Sequence, residues 1–255
     1  MVDQIRARFY VIVRSKTFLL VLVACFVWVL FSAVGLVTGD PSEPVNTSYI
    51  LVQITRVYLE IVPIAAAGWY ICYRKGKYQN QIPCQQYEMK SLLGNFGSAM
   101  CMNTFFMLGN IICSLVVILL MRDRILFSSF LNLGGTLVVL FLISVSRTAW
   151  TCLCTELVRD HVVGTVLGLI SSTALLQTFL LDGEIKACGL LGIKASSLPV
   201  TSYTTYCIHE ALFKGNGKVV LFNHINPYAA VLVLIGFIAV FSLGTVLLVQ
   251  KRDVA

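Results

Sequence analysis

Residues 17–38 read TFLLVLVACFVWVLFSAVGLVT and contain no charged side chain. As an α-helix this run is about 33 Å long at 1.5 Å per residue, enough to cross a hydrocarbon core of about 30 Å. A helix that is apolar on every side belongs in a large protein core or in a bilayer. The run therefore predicts a transmembrane helix, and it lacks the small-residue cleavage site of a signal peptide.

The composition of the whole chain also indicates a protein that lies in a lipid bilayer. Its 255 residues are 58% hydrophobic and 12% charged, whereas soluble domains carry about 25% charged residues. We predict an all-α membrane protein with six transmembrane helices, forming a single transmembrane domain over 1-255. The predicted spans are about 17-38, 50-72, 98-121, 126-148, 162-181 and 228-249.

The basic residues predict the orientation, because Lys and Arg are retained on the cytoplasmic side during insertion. With a cytoplasmic N-terminus, inner segments hold twelve of them: Arg6, Arg8, Arg14, Lys16, Arg74, Lys75, Lys77, Lys90, Arg147, Arg159, Lys251 and Arg252. Outer loops hold six: Arg122, Arg124, Lys186, Lys194, Lys214 and Lys218. Both termini are thus predicted to be cytoplasmic. Topology and anionic lipid explain the net charge of +7 better than nucleic-acid binding does.

Three segments outside the spans carry information. Ile5, Phe9 and Ile12 recur at helical spacing among basic residues, which predicts an amphipathic elbow helix in the inner interface; a basic flank that only sets topology is the alternative. The inner connection 73–97 is either a solvated connector or, after Pro83, a short surface helix for a cytoplasmic partner. The long outer connection 182–227 predicts short helices or re-entrant segments against the bundle.

Four motifs carry a family resemblance. They are the opening RFYVIVRSKTFLL (8–20), the inner stretch 76–90, the turn ELVRD (156–160), and an ending with NPY (226–228) before a clean span and QKRDV (250–254). In this order they resemble, over the whole chain, the permease subunit of ABC-2 type transporters. The likeness is to the small six-span permeases of bacterial peptide and lantibiotic export or immunity systems. One departure is that Gln85, Gln86 and Tyr87 stand where that family has an acidic residue and glycine before a basic residue.

The resemblance implies a membrane-spanning subunit of an ATP-driven exporter in the bacterial cytoplasmic membrane, for peptide export or self-immunity. Its implied partners are a separate ABC ATPase subunit, contacted through Gln85, Tyr87 and Lys90, and a second permease, identical or related. ATP would be bound by the partner, since the sequence lacks the glycine-rich pattern that cradles phosphates. We expect no catalytic, cofactor or metal site in this chain, and its histidines form no HExxH pattern.

Two further sets of residues are candidates for a role. Gln53, Arg56 and Glu60 lie along one face of the second span, where ionisable groups are functional candidates. They line a translocation path or an interface, or Arg56 and Glu60 simply neutralise each other within the helix. Cys188 and Cys207 share the outer connection and are candidates for a disulfide, which a reducing niche would leave as thiols.

A secondary transporter or channel subunit that is not driven by ATP is the alternative function. Such proteins often show broken or charged helices at corresponding positions of two repeats, and the sequence contains no convincing internal repeat. An intramembrane enzyme is disfavoured, because the spans contain one deep acid and no histidine.

Overall fold

The computed structural model describes residues 2–38, 45–75, 85–121, 125–126, 130–158, 161–172, 182–183, 185–192 and 227–253. These residues are almost entirely helical. Four of the described helices contain a stretch long and apolar enough to cross a membrane: Lys16–Leu36, Phe96–Leu120, Leu133–Val158 and Tyr228–Gln250. A helical, multi-pass membrane protein is therefore confirmed at this level, while six spans and the orientation of the termini stay predictions.

Seven helices and two short strands form most of the described fold. The helices are α1 Val2–Val13, α2 Lys16–Thr38, α3 Thr47–Lys75, α4 Gln85–Leu120, α5 Phe130–Val158, α6 His161–Ser172 and α7 Pro227–Asp253. The strands β1 Val45–Asn46 and β2 Ile125–Leu126 pair in parallel. They join the connection before α3 to the connection before α5, so these helices begin at one end of the bundle, which we call the strand end.

Three helices compare with the predicted spans in different ways. Helix α3 covers the second predicted span without interruption and carries Arg56 and Glu60, but it is not among the four apolar stretches found in the described residues. Helix α6 is described as far as Ser172, and the rest of the fifth predicted span lies outside the described residues. Helix α5 continues beyond residue 148 to Val158.

Arg147, which the charge count assigns to a cytoplasmic flank, is followed by eleven more residues of the same helix. It lies within α5 and is 3% exposed. The helix continues because Ala149, Cys152 and Cys154 after it are buried among neighbouring helices. Protein contacts surround the guanidinium instead of lipid headgroups.

Helix α1 presents the predicted apolar face to the bundle. Ile12 is 1% exposed, Ile5 touches α4 at Gly97, and the Phe9 ring meets that of Phe105 edge-on with centroids 6.2 Å apart. The predicted amphipathic helix is therefore present and docks against the middle of α4, between Gly97 and Phe105.

Ser15 separates α1 from α2. Its Oγ accepts a hydrogen bond from the Phe18 backbone N–H at 3.1 Å, and its carbonyl accepts one from Leu19 at 3.3 Å. A serine in this position satisfies a backbone donor that a starting helix leaves without a partner. The chain can thus begin a new helix at Lys16 in a new direction.

Helix α5 is the centre of the bundle, with α3 on one side and α6 and α7 on others. Gly164 and Gly168 of α6 face Thr155 and Thr151 of α5, so these two helices are antiparallel. On α7, Phe241 contacts Trp150 and Gly244 contacts Leu153, so α7 runs parallel to α5. Every residue from Ile143 to Ala149 in α5 is buried.

Close contact between α5 and α6 depends on the two glycines of α6. A β-carbon on Gly164 would lie 2.9 Å from the backbone nitrogen of Thr155, and one on Gly168 would lie 2.6 Å from the Thr151 Cγ2. Small residues spaced in this way let helix backbones approach in membranes, where packing replaces the hydrophobic effect between helices.

We predict that Gly164→Ala destabilises the bundle by about 1–3 kcal/mol, the usual effect of inserting a methyl group into a full interface. The measurement is the midpoint of thermal unfolding in mild detergent. Gly236→Ala is the matched control, because a β-carbon there meets nothing within 4 Å and alanine is the better helix former. Equal midpoints for the two variants would contradict this account of the α5–α6 contact.

Candidate functional site

A hydrogen-bonded cluster joins α3, α4 and α5 in the interior of the bundle. The Tyr58 hydroxyl lies 2.8 Å from the backbone carbonyl of Asn103 and 2.5 Å from its Oδ1, both of which can accept its proton. The Ser144 hydroxyl lies 2.5 Å from the same Oδ1 and 3.0 Å from the Tyr58 oxygen. We call Tyr58, Asn103 and Ser144 the polar cluster.

All three side chains of the polar cluster are buried, with exposures of 1%, 0% and 0% in that order. A polar group in such surroundings is costly unless it is hydrogen-bonded. The cluster therefore stabilises one particular arrangement of α3, α4 and α5, because sliding any helix by a turn separates the three groups. One atom of the cluster, Asn103 Nδ2, is buried without a hydrogen-bond partner among the described residues.

A second polar contact lies one helical turn along α5. The Arg147 guanidinium donates from Nη1 to the Leu59 carbonyl of α3 at 3.1 Å. In a regular helix that carbonyl accepts from the N–H four residues later, but residue 63 is proline and has no N–H. Arg147 thus supplies from α5 the hydrogen bond that Pro63 removes from α3.

The remaining hydroxyls on this side of α5 bond within their own helix. Thr148 donates to the Ser144 carbonyl, Thr151 to the Arg147 carbonyl and Thr155 to the Cys152 carbonyl, at 2.9, 2.8 and 2.6 Å. These bonds let threonine be buried without a partner on another helix. Together with Ser144 and Arg147 they form a continuous polar stripe along the second half of α5.

The stripe predicted on α3 lies on a different face from the polar cluster. Gln53 and Arg56 are half-buried, whereas Tyr58 and Leu59 are fully buried. The Gln53 carbonyl accepts a hydrogen bond from Trp28 Nε1 at 3.4 Å, and Arg56 has contacts of its own. The Glu60 side chain lies outside the described residues, so the role of Gln53, Arg56 and Glu60 stays a prediction.

The residues predicted to meet an ATPase have a different setting from the one expected. The sequence places Gln85, Tyr87 and Lys90 in a connection with a separate short helix, but they form the first turns of α4. No proline lies between Pro83 and the apolar stretch that begins at Phe96, and the residues from Gln85 to Leu93 are mostly good helix formers, so the helix continues into that stretch. Their side chains lie outside the described residues.

The outer connection is described only in part. A short helix covers 185–190 and ends at Gly192, whose φ of +67° suits glycine. Cys188 in this helix is buried, at 5% exposure. Cys207 and most of the predicted short helices lie outside the described residues, and the bridge between Cys188 and Cys207 stays a prediction.

The polar cluster is only partly visible in the sequence. Asn103, Asn110 and Ser114 form a polar stripe on α4 that predicts hydrogen bonds between helices. Asn103 makes them, but Asn110 donates to the Phe106 carbonyl and Ser114 to the Asn110 carbonyl within α4. The sequence does indicate that the Leu59 carbonyl needs a donor from another helix, because Pro63 lies inside an apolar run and lacks the N–H that would bond this carbonyl.

Comparison of the chain with protein-family models, with curated proteins and with solved structures gives no significant match. The described residues also contain no group of three or more His, Cys, Asp or Glu side chains placed to hold a metal ion. The function must therefore be argued from the helices and their contacts.

We predict that Ser144→Ala lowers the stability of the bundle by about 1 kcal/mol, because it removes a donor to Asn103 from a buried network. The unfolding midpoint in detergent measures the change. Ser32→Ala is the matched control, since the Ser32 hydroxyl is also buried but has no hydrogen-bond partner among the described residues. The interpretation of the polar cluster would be wrong if the control lost as much stability as Ser144→Ala.

Proposed function

We propose that this chain is the membrane-spanning permease subunit of an ATP-driven exporter of the ABC-2 type. The energy comes from a separate ATPase subunit, and a second permease chain completes the pathway across the membrane. The resemblance of the whole sequence to such permeases motivates the proposal. The shape of α4 is the observation that carries it.

Helix α4 is longer than a membrane requires. Its 36 residues extend for about 54 Å at 1.5 Å per residue, and its apolar stretch begins only at Phe96. The residues from Gln85 to Asn95 therefore continue the same helix beyond the apolar stretch. A force applied to Gln85, Tyr87 or Lys90 would act on the span directly, as a coupling contact requires, without loss in a flexible loop.

The docking of α1 supports the same function. Ile5 meets Gly97 and Phe9 meets Phe105, so α1 braces the first part of the apolar stretch of α4, which begins at Phe96. Arg6, Arg14 and Lys16 on and after α1 are exposed, which suits a helix held at the headgroups. The N-terminal elbow would thus fix α4 to the inner surface of the membrane.

The half-buried face of α3 supports a second permease chain. Gln53 and Arg56 lie at the edge of the bundle, and polar side chains at membrane depth normally face protein or a water-filled cavity. A partner permease covering this face would shield them from lipid. A pathway along the same face would serve equally well, and both roles belong to an assembled exporter.

One observation favours the alternative, a secondary transporter or channel subunit. Arg147 and the polar cluster occupy the interior of a single chain, where such proteins place their substrate and ion sites. In that case the chain would work without an ATPase.

The test is a pull-down of the tagged chain in mild detergent with the products of neighbouring genes, followed by an ATPase assay. We expect an ATPase to co-purify and the double change Gln85→Ala with Tyr87→Ala to release it. Tyr228→Ala is the control, because Tyr228 is 78% exposed at the strand end of α7, away from the start of α4.

Loss of the ATPase from the double variant but not from the control would support both the exporter and the contact at α4. Purification without any nucleotide-hydrolysing partner, combined with ion or solute flux by the chain alone in vesicles, would replace the exporter with the alternative.

A further inference from the structure

The contact between Arg147 and Leu59 points to a mechanical role for the Pro63 region of α3. Pro63 is buried and lies inside a helix that continues to Lys75. Besides lacking an N–H, the proline ring crowds the carbonyl four residues earlier and turns it away from the helix. That carbonyl belongs to Leu59, and it accepts from Arg147 at 3.1 Å.

The two parts of α3 on either side of Pro63 are attached differently. Before the proline, hydrogen bonds fasten α3 to three other helices, through Gln53 to α2, through Tyr58 to α4, and through Tyr58 and Leu59 to α5. In a bilayer such bonds have no water to replace them. The first part of α3 is therefore held in place.

The residues directly after the proline are apolar and mostly small. Residues 64–68 read IAAAG, and a β-carbon on Gly68 would meet nothing within 4 Å. Trp69 packs beside Phe18 with ring centroids 6.3 Å apart, and its buried Nε1 has no hydrogen-bond partner in the part of the chain that the structure describes. The described side chains of this part run from Ile64 to Trp69, and none of them forms a hydrogen bond to another helix.

We propose that α3 has a hinge between Leu59 and Pro63, and that Arg147 is the latch that holds it in the observed conformation. With the latch closed, the Leu59 carbonyl is satisfied and α3 acts as one helix. With the latch open, the part of α3 after Pro63 changes its angle, and its described apolar side chains, from Ile64 to Trp69, slide over their neighbours. The first part stays fastened through the polar cluster.

The hinge deepens the proposed function and rests on it for one point, the force from the ATPase contact that would move it. The moving part of α3 ends at Lys75, and α4, which carries the proposed ATPase contact, begins at Gln85. In the proposed exporter, a push on that contact would reach α3 through the packing of α4 against it. The existence of the hinge and latch, however, can be tested on the purified chain without an ATPase partner.

The first experiment is a double-mutant cycle on the full chain in detergent, with Arg147→Met and Pro63→Ala. Alanine restores the N–H for the Leu59 carbonyl, so the latch is needed only while Pro63 is present. Arg147→Met should therefore lower the unfolding midpoint by several degrees in the parent chain, and by about half of that shift or less in the Pro63→Ala background. The other contacts of Arg147 contribute equally in both backgrounds. Pro63→Leu, which also restores the N–H, repeats the comparison if Pro63→Ala folds poorly.

Arg56→Met is the control, as a second arginine change inside the bundle that lies on a different face of α3 from the Leu59 carbonyl. Its shift in midpoint should be the same with proline or alanine at position 63. An equal loss from Arg147→Met in both backgrounds would overturn the latch, as would failure of the Arg147→Met protein to fold in either background. Folding of the Arg147→Met protein only when it also carries Pro63→Ala would support the latch strongly.

The second experiment measures the hinge itself by distances from electron spin resonance. Spin labels are attached through non-natural amino acids, because the chain has nine cysteines. One pair, Gly68 and Leu247, joins the moving part of α3 to α7; the reference pair, Tyr49 and Leu232, joins the fastened part of α3 to α7.

We expect Arg147→Met to broaden or shift the distance distribution of the first pair, leaving that of the reference pair unchanged, and Pro63→Ala to reverse the change. Distributions that respond alike in both pairs, or in neither, would overturn the hinge. Either result leaves the ATPase pull-down unaffected, so a failed hinge and a failed exporter assignment are distinguishable.

Discussion

The bundle depends on the rule that no backbone polar group can be left without a partner inside a bilayer. Helices satisfy the rule almost everywhere, and a buried proline breaks it at one carbonyl. In this chain the broken position is Leu59, and the donor comes from Arg147 on another helix. A residue that would be expensive on its own in a membrane is thereby placed where its charge-assisted hydrogen bond is most needed.

The same contact organises its neighbours. Tyr58 and Leu59 are adjacent in α3, and their partners Ser144 and Arg147 are one turn apart in α5. Asn103 brings α4 to the same point. The hydrogen bond to the Leu59 carbonyl and the polar cluster thus fix the register of α3, α4 and α5 within a single helical turn. The apolar core around them, which includes Met102, Leu140 and Ile143, has no directional preference and would tolerate other registers.

The outer helices follow simpler packing rules. Helix α6 approaches α5 because its glycines leave room for Thr151 and Thr155, and α1 is bound through the few apolar residues that it turns toward α4. The apolar outer faces of α2 and α7 remain exposed, as at Phe31 and Leu232, because lipid is their solvent. Hydrogen bonds between side chains and backbone therefore set the register of α3, α4 and α5, whereas α1 and α6 are held by close packing.

The sequence by itself determined the solvent, the helical class, the length of the clearest spans and the buried face of α1, since hydropathy and a period of 3.6 residues are local properties. It placed Arg147 in a flank and the residues after Gln85 in a loop, because a charge or a proline suggests a boundary when only neighbours in the chain are considered. Only the tertiary structure decided that Arg147 is buried, since its partner Leu59 is 88 residues away in the sequence. The same holds for Ser144, an ordinary serine until packing brings it to Tyr58 and Asn103, because the sequence around one partner of a hydrogen bond between distant helices does not specify the other partner.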